Sequence, residues 1–292
     1  MAEFDDLRLN EPSRSGPLAQ PPTPSPSLLV PAVVIAVIAI IGLGAFFWTR
    51  RATPVQQAPG VQVLKTTEPV TPQRTRPQAV EGDHIALPPL DETDPLVRQL
   101  VSQLSSHPRV AAWLATDGLL RNFALVVVSV SGGATPIKAL QSQRPSAPFE
   151  TRDTPKGPVI DQASYHRYDA YADAVASLDA RNTAKLYETL KPRIAEAYRD
   201  LGYPDADIDG AFTRAMIVLL RAPRLEGDVP VVRVSVNWKY ADPEIEALTP
   251  AERQLIRMGP RNERIIQDKL REIAPFLGID PSQLPAAGQS KN

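Results

Sequence analysis

Beyond Asp94, apolar residues recur at the 3.6-residue helical period in one block after another, and helix punctuation brackets each block. Asp94-Pro95 reads as a cap followed by a proline at the first helical position, with Leu96, Val97, Leu100, Val101 and Leu104 on one face. Pro108 opens a short second helix carrying Val110, Trp113 and Leu114, which Gly118 closes. The run from Leu119 through Phe123 to Val128 is more continuously apolar and is read as a buried helix, with a strand as the competing assignment. From Ser164, the residues Tyr165, Tyr168, Ala172, Val175 and Leu178 share one helix face. Leu186, Leu190, Ile194, Tyr198 and Leu201 share the next, which Gly202 ends and which Pro192 should kink or split near Lys191. Ile208, Phe212, Met216 and Leu219 mark a further helix. Thr249-Pro250-Ala251-Glu252 is a capping box, Gly259 ends the helix it starts, and Pro260 opens a last one with Ile266, Leu270, Ile273 and Leu277 inward, stopped at Gly278. Two stretches lack this period. Residues 131–163 are rich in Gly and Pro, with room for a small hairpin around Pro155-Lys156-Gly157, and residues 231–240 alternate with period two as a strand or extended arm. The pattern predicts a mainly α domain over residues 91–279, with about six to eight helices, a minor β hairpin or extended arm, and a C-terminal tail over 280–292.

One block is apolar on every face. From Leu28 to Trp48 there are twenty-one residues without a charge, a length of about 31 Å as a helix, which matches the hydrocarbon core of a bilayer. The segment is read as an uncleaved transmembrane helix, so the lipid bilayer is the first expected partner. The preceding tail, residues 1–27, is too long and acidic for a signal peptide, and Phe46, Phe47 and Trp48 stand where small residues would precede cleavage. Seven of the thirty-one prolines fall in residues 1–31 and seven more in 52–90. Residues 1–27 are therefore expected to stay disordered, and residues 49–90 to form a disordered Pro-rich linker between anchor and domain. Arg50 and Arg51 directly after the apolar block favour a cytoplasmic C-terminal side. Large domains translocate largely regardless of such charges, and a tether tens of ångströms long suits a partner away from the bilayer. The preferred topology is single-pass in a bacterial inner membrane, with the N-terminus cytoplasmic and residues 49–292 periplasmic.

Charge and chemistry narrow the function by exclusion. Thirty-two basic against thirty-three acidic residues give a net charge of −1, which offers no general field for nucleic acid. The absence of cysteine excludes disulfides, thiolate metal sites and a cysteine nucleophile. Gly132-Gly133 does not stand at phosphate-loop spacing from Lys138, so a plain turn is the preferred reading. His166, Asp169 and Asp173 fall on one helix face at metal-ligand spacing, but no second histidine pair or dense acidic loop accompanies them, and a solvated polar stripe is the simpler reading. His84 and His107 read as a solvated linker residue and a turn residue. No serine-hydrolase or dinucleotide motif occurs, and no catalytic residue, cofactor or metal is expected.

Several short segments carry a resemblance: Leu87-Pro88-Pro89-Leu90-Asp91, Asp94-Pro95-Leu96-Val97, Asp117-Gly118-Leu119, Ile160-Asp161, Ser164-Tyr165 with Arg167-Tyr168-Asp169, Leu190-Lys191-Pro192, Leu201-Gly202-Tyr203-Pro204 and Met258-Gly259-Pro260-Arg261-Asn262. In these, over most of residues 87–277, the chain resembles a family of bacterial membrane-anchored proteins of unknown function. It departs across residues 126–144, which are more apolar and less basic than the family pattern. The resemblance implies a single-pass, mostly helical envelope protein and supplies no catalytic residues. Tyr165, Arg167, Tyr168, Asp169, Arg261 and Asn262 are the candidate interaction surface, because Tyr and Arg are enriched where proteins meet. The competing expectation is that tyrosines at helical spacing pack against a neighbouring helix. The resulting reading is a membrane-tethered cell-envelope interaction or scaffold module, with an envelope protein or cell-wall component as partner. An envelope hydrolase or cell-wall-polymer-binding protein using Asp, Glu and Tyr is the alternative.

Overall fold

The computed structural model describes residues 78–203, 207–286 and 290–291. The anchor segment 28–48, the preceding tail and most of the linker lie outside the described residues. Among those described, no single helix is long and apolar enough to cross a membrane.

Among the described residues ten α-helices form the body: α1 (Asp94–Ser102), α2 (Pro108–Leu114), α3 (Leu119–Ser131), α4 (Gln162–His166), α5 (Asp169–Ala176), α6 (Ala180–Asp200), α7 (Ile208–Arg221), α8 (Pro243–Glu246), α9 (Pro250–Arg257) and α10 (Pro260–Ile273). The apolar run at Leu119 is helix, not strand, and its Leu119, Leu120, Phe123, Val126, Val127 and Val130 are all buried. Helix α3 packs on α6 and α7, and α10 packs against α5, α6 and α7. At the α3/α6/α7 junction the Tyr187 and Phe212 rings stack at 5.2 Å, with Phe123 at 6.0 Å from Phe212.

Several expectations change in detail. Among the described residues ten helices stand where six to eight were predicted, because the single-turn α8 is too short to show a period and one predicted helix is divided in two. The helix predicted from Ser164 to Leu178 is two, broken at Arg167-Tyr168. There Tyr168 N donates to Tyr165 O and Tyr171 N to Tyr168 O, a tightened turn that keeps both tyrosine rings inward. Conversely, α6 is not split at Pro192 but runs through it for 21 residues. Packing on its buried face and contacts from the segment before α1 hold it. Gly82 lies so close to α6 that a Cβ there would sit 2.5 Å from Thr189 N, and Asp83 N donates to Thr189 Oγ1 at 2.8 Å. Residues 79–89 are thus fastened to the helical body: Val80 N donates to Phe276 O, and Arg193 donates to Leu87 O. Packing thus reaches at least a dozen residues before Asp91, where the sequence places solvated linker. His84 in this stretch is exposed and bonds Glu81. Asp94 also differs from expectation: Thr93 is the cap residue of α1, and the Asp94 carboxylate instead accepts from Gly118 N and Leu119 N, capping α3 from a distance.

The β content is two hairpins and a short parallel pair. Strands β1 (Thr151–Thr154) and β2 (Gly157–Ile160) form the hairpin expected around Pro155-Lys156-Gly157. Strand β3 (Arg224–Leu225) pairs with β6 (Ser290–Lys291), so part of the expected C-terminal tail returns to the body. The alternating stretch is not one strand. It is β4 (Val231–Val234) and β5 (Asn237–Tyr240), folded back at Ser235-Val236, where Ser235 has φ 57°. A two-residue turn of this kind reverses the phase of the alternation. Val231 and Tyr240 face the core, Arg233 pairs with Trp238, and Val232 and Val234 sit opposite Lys239 and Asn237 on the outer face. Trp238, expected beside the valines, is on the other side.

Candidate functional site

The six candidate surface residues do come together, at the corner where α9 turns into α10 and meets α4 and α5. Gly259 turns that corner at φ +86°, and the Tyr165 ring rests directly on it: a Cβ at position 259 would meet Tyr165 Cγ at 2.5 Å. One helix-capping bond orients α4, from Ala163 N to the Asp161 carboxylate. Asn262, 1% exposed, donates from Nδ2 to Asp169 Oδ1 (2.8 Å), Met258 O (2.9 Å) and Tyr165 O (3.1 Å). Its Oδ1 accepts from Arg261, which also bonds Asp173 at 2.8 Å. His166 Nδ1 lies 2.8 Å from Asp169 Oδ2. Burial alone would raise the Asp169 pKa; hydrogen bonds from His166 and Asn262, with the charges of His166 and Arg261, outweigh it and hold the carboxyl below its usual range. Arg167 donates to Ser164 O and to the Tyr168 hydroxyl, and lies over the Tyr168 and Phe149 rings.

This geometry changes the role of the cluster. Tyr165, Tyr168 and Asn262 are buried, and the polar groups bond one another, so they join α4, α5 and α10 instead of presenting an aromatic face. In the His166/Asp169/Asp173 stripe, Arg261 bridges the two carboxylates. Among the described residues no group of three His, Cys, Asp or Glu is placed to hold a metal ion. Gly132 caps α3 and Gly133 follows at φ +74°, its carbonyl accepting from Ala251 N, so the glycine pair is a helix-ending turn.

A second polar locus lies outside the candidates that the sequence suggests. Glu263 on α10 is 0% exposed, Gln267 Nε2 approaches its Oε1 at 3.4 Å, and among the described residues its Oε2 has no hydrogen-bond partner. Burial pushes its pKa well up; the Arg224 charge opposes this and Glu226 adds to it. Tyr165 and Tyr240 are raised as well, chiefly by burial. Beside them a cleft of about 120 Å³ is lined by Glu226, Asp228, Tyr240 and Asp242, a volume below that of ordinary small-molecule sites, about 300–1,000 Å³. The signal for Glu263 is legible in the sequence: it stands three and seven residues before Ile266 and Leu270, at an inward position of α10. Glu263→Gln should therefore stabilise the domain at neutral pH. A raised folded-state pKa contributes stability that is full below the unfolded value, about 4.3, and declines as pH rises toward the folded value. Glutamine cannot ionise, so its advantage in thermal melts is expected at pH 7 and should vanish near pH 4. An equal difference at both pH values would refute this.

A larger cleft, about 310 Å³, opens at the start of α3 between Asp91, Asp94, Asp117 and Arg121. Arg121 bonds Asp91 at 2.9 Å and pairs with Asp200 at 3.2 Å, while Arg98 donates to Leu114 O, Thr116 O and Asp117. These contacts tie the segment before α1 to α3 and to the end of α6. Most of the segments on which the sequence resemblance rests therefore fall at two joints of the fold: this one, and the corner at Gly259.

Residues 119–274 match the family described as Protein of unknown function (DUF3014), and the chain belongs to that family. Comparisons with curated proteins and with solved structures find no match.

Proposed function

We propose that this DUF3014 protein is a membrane-tethered, non-catalytic docking module of the bacterial envelope, with the anchor at residues 28–48, a linker, and a helical domain that makes contact through the β4–β5 hairpin. The observation that carries this reading is the hairpin's outer face. Val232 is 46%, Val234 45% and Val236 68% exposed, in a domain whose other large apolar side chains are mostly buried. Neighbouring exposed apolar groups along one face of a hairpin and its turn are characteristic of a contact surface. The polar clusters, in contrast, are absorbed in holding helices together. The reading keeps residues 1–27 in the cytoplasm and residues 49–292 in the periplasm, against the pull of Arg50 and Arg51. Alkaline phosphatase fused after Asn292 is expected to be active and a cytoplasmic fluorescent reporter dark; the opposite result would reverse the topology.

The docking role is tested by proximity labelling in living cells from a tag after Asn292, comparing the full chain with Val232→Lys/Val234→Lys. The variant is expected to change the labelled neighbours while its amount in the membrane fraction stays the same. Identical neighbour sets would refute the role.

A further inference from the structure

We propose that the surface on which the β4–β5 hairpin docks is the anionic headgroup region of the bilayer that holds the anchor, an inference that rests on the tethered-module reading above. Three observations favour lipid over a protein partner. The first is chemistry: the ten hairpin residues Val231 to Tyr240 include no acidic residue, and Lys239 stands opposite Val232 on the outer face, while Arg233, on the face of Trp238, donates to Ser235 O at the turn. Apolar groups bordered by Lys and Arg partition into the boundary between acyl chains and anionic headgroups. The second is size. Three partly exposed valines provide far less than the roughly 800 Å² per partner that a stable protein interface needs. The third is reach. Residues 49–77 separate the apolar block from the described domain, a span of about 30 Å as a flexible coil and about 90 Å fully extended. Such a tether holds the domain at an effective concentration on the order of millimolar against the bilayer, so a weak contact suffices to orient it.

The absence of native cysteine makes the test clean. Full-length Val236→Cys, labelled with an environment-sensitive fluorophore, is reconstituted into vesicles containing anionic lipid and acyl-chain quenchers. Lys156→Cys, at the exposed tip of the β1–β2 hairpin, reports the proximity of the domain as a whole. Quenching and a blue shift are expected at position 236 and not at 156. Both should weaken in zwitterionic vesicles, at high salt, and when Val232 and Val234 are replaced by serine. Equal quenching at both positions, or none at 236 in chains that float with the vesicles, would overturn the inference and leave the tether reading intact. Chains that do not float would overturn both. A 236-to-236 disulfide forming in place of quenching would assign the surface to a second copy of this chain and equally overturn the lipid assignment.

Discussion

Gly259→Val is expected to destabilise the domain by about 4 kcal/mol or more, the range in which single substitutions unfold marginal proteins. Two costs coincide at this position. The backbone sits at φ +86°, a region a β-branched residue enters only with strain, and the added Cβ would fall 2.5 Å from the Tyr165 ring. That ring is 7% exposed and fixed between α4 and α10, so it has nowhere to retreat. Gly202→Val isolates the first cost. Gly202 has φ +93° after α6, yet nothing lies within 4 Å of the place a Cβ would occupy, so about 1–2 kcal/mol is expected. Denaturant unfolding of the two variants should differ by about a factor of two or more in lost stability. Equal losses would show that the Tyr165 contact is not tight.

Asn262→Ala should cost about 3 kcal/mol, because a buried side chain that ties three acceptors together takes those bonds with it and leaves its space empty. Met258 O and the Asp169 carboxylate lose a donor, and the link from α10 to α4 and α5 is cut. Asn262→Asp is the sharper test. It preserves shape but turns the donor into a carboxylate facing Asp169 and two carbonyl oxygens, so at pH 7 it should be worse than alanine. Lowering the pH should narrow that gap as the new carboxyl takes up a proton and regains a donor. An aspartate variant more stable than alanine at pH 7 would refute this arrangement.

The two substitutions also mark how far sequence reasoning reaches into the site. Position 259 is legible as a helix end, since Gly before Pro260 can serve little else, but its contact with a ring ninety-four positions earlier is not. Tyr165, Arg167, Tyr168, Asp169, Arg261 and Asn262 are legible as a set worth joining. Their role is not, because composition is the same for an exposed aromatic face and for a buried joint; only the burial of Asn262 and the bonds it makes separate the two. The split of the helix at Arg167-Tyr168 is hidden because a single tightened turn leaves the apolar face in phase on both sides. Glu263 looks like one more helix carboxylate until its place in the α10 stripe is weighed, which puts it inside.

Local signals were decisive wherever the cause is local. The capping box at Thr249, the stops at Gly202, Gly259 and Gly278, the β1–β2 turn and the apolar faces of α3, α6, α7 and α10 follow from bonds and sterics within a few residues, and all are present in the fold. Tertiary structure decided what depends on partners distant in the chain. It carried α6 through Pro192, lent the Asp94 carboxylate to α3, and fastened residues 79–89 to the body. It also chose which face of the alternating stretch at 231–240 turns outward, because a two-residue reversal at Ser235-Val236 sends Trp238 inward and leaves the valines in solvent. A proline's local cost, a carboxylate's choice of helix end and the phase of a hairpin are each small beside the packing energy of a whole core, so the core settles them.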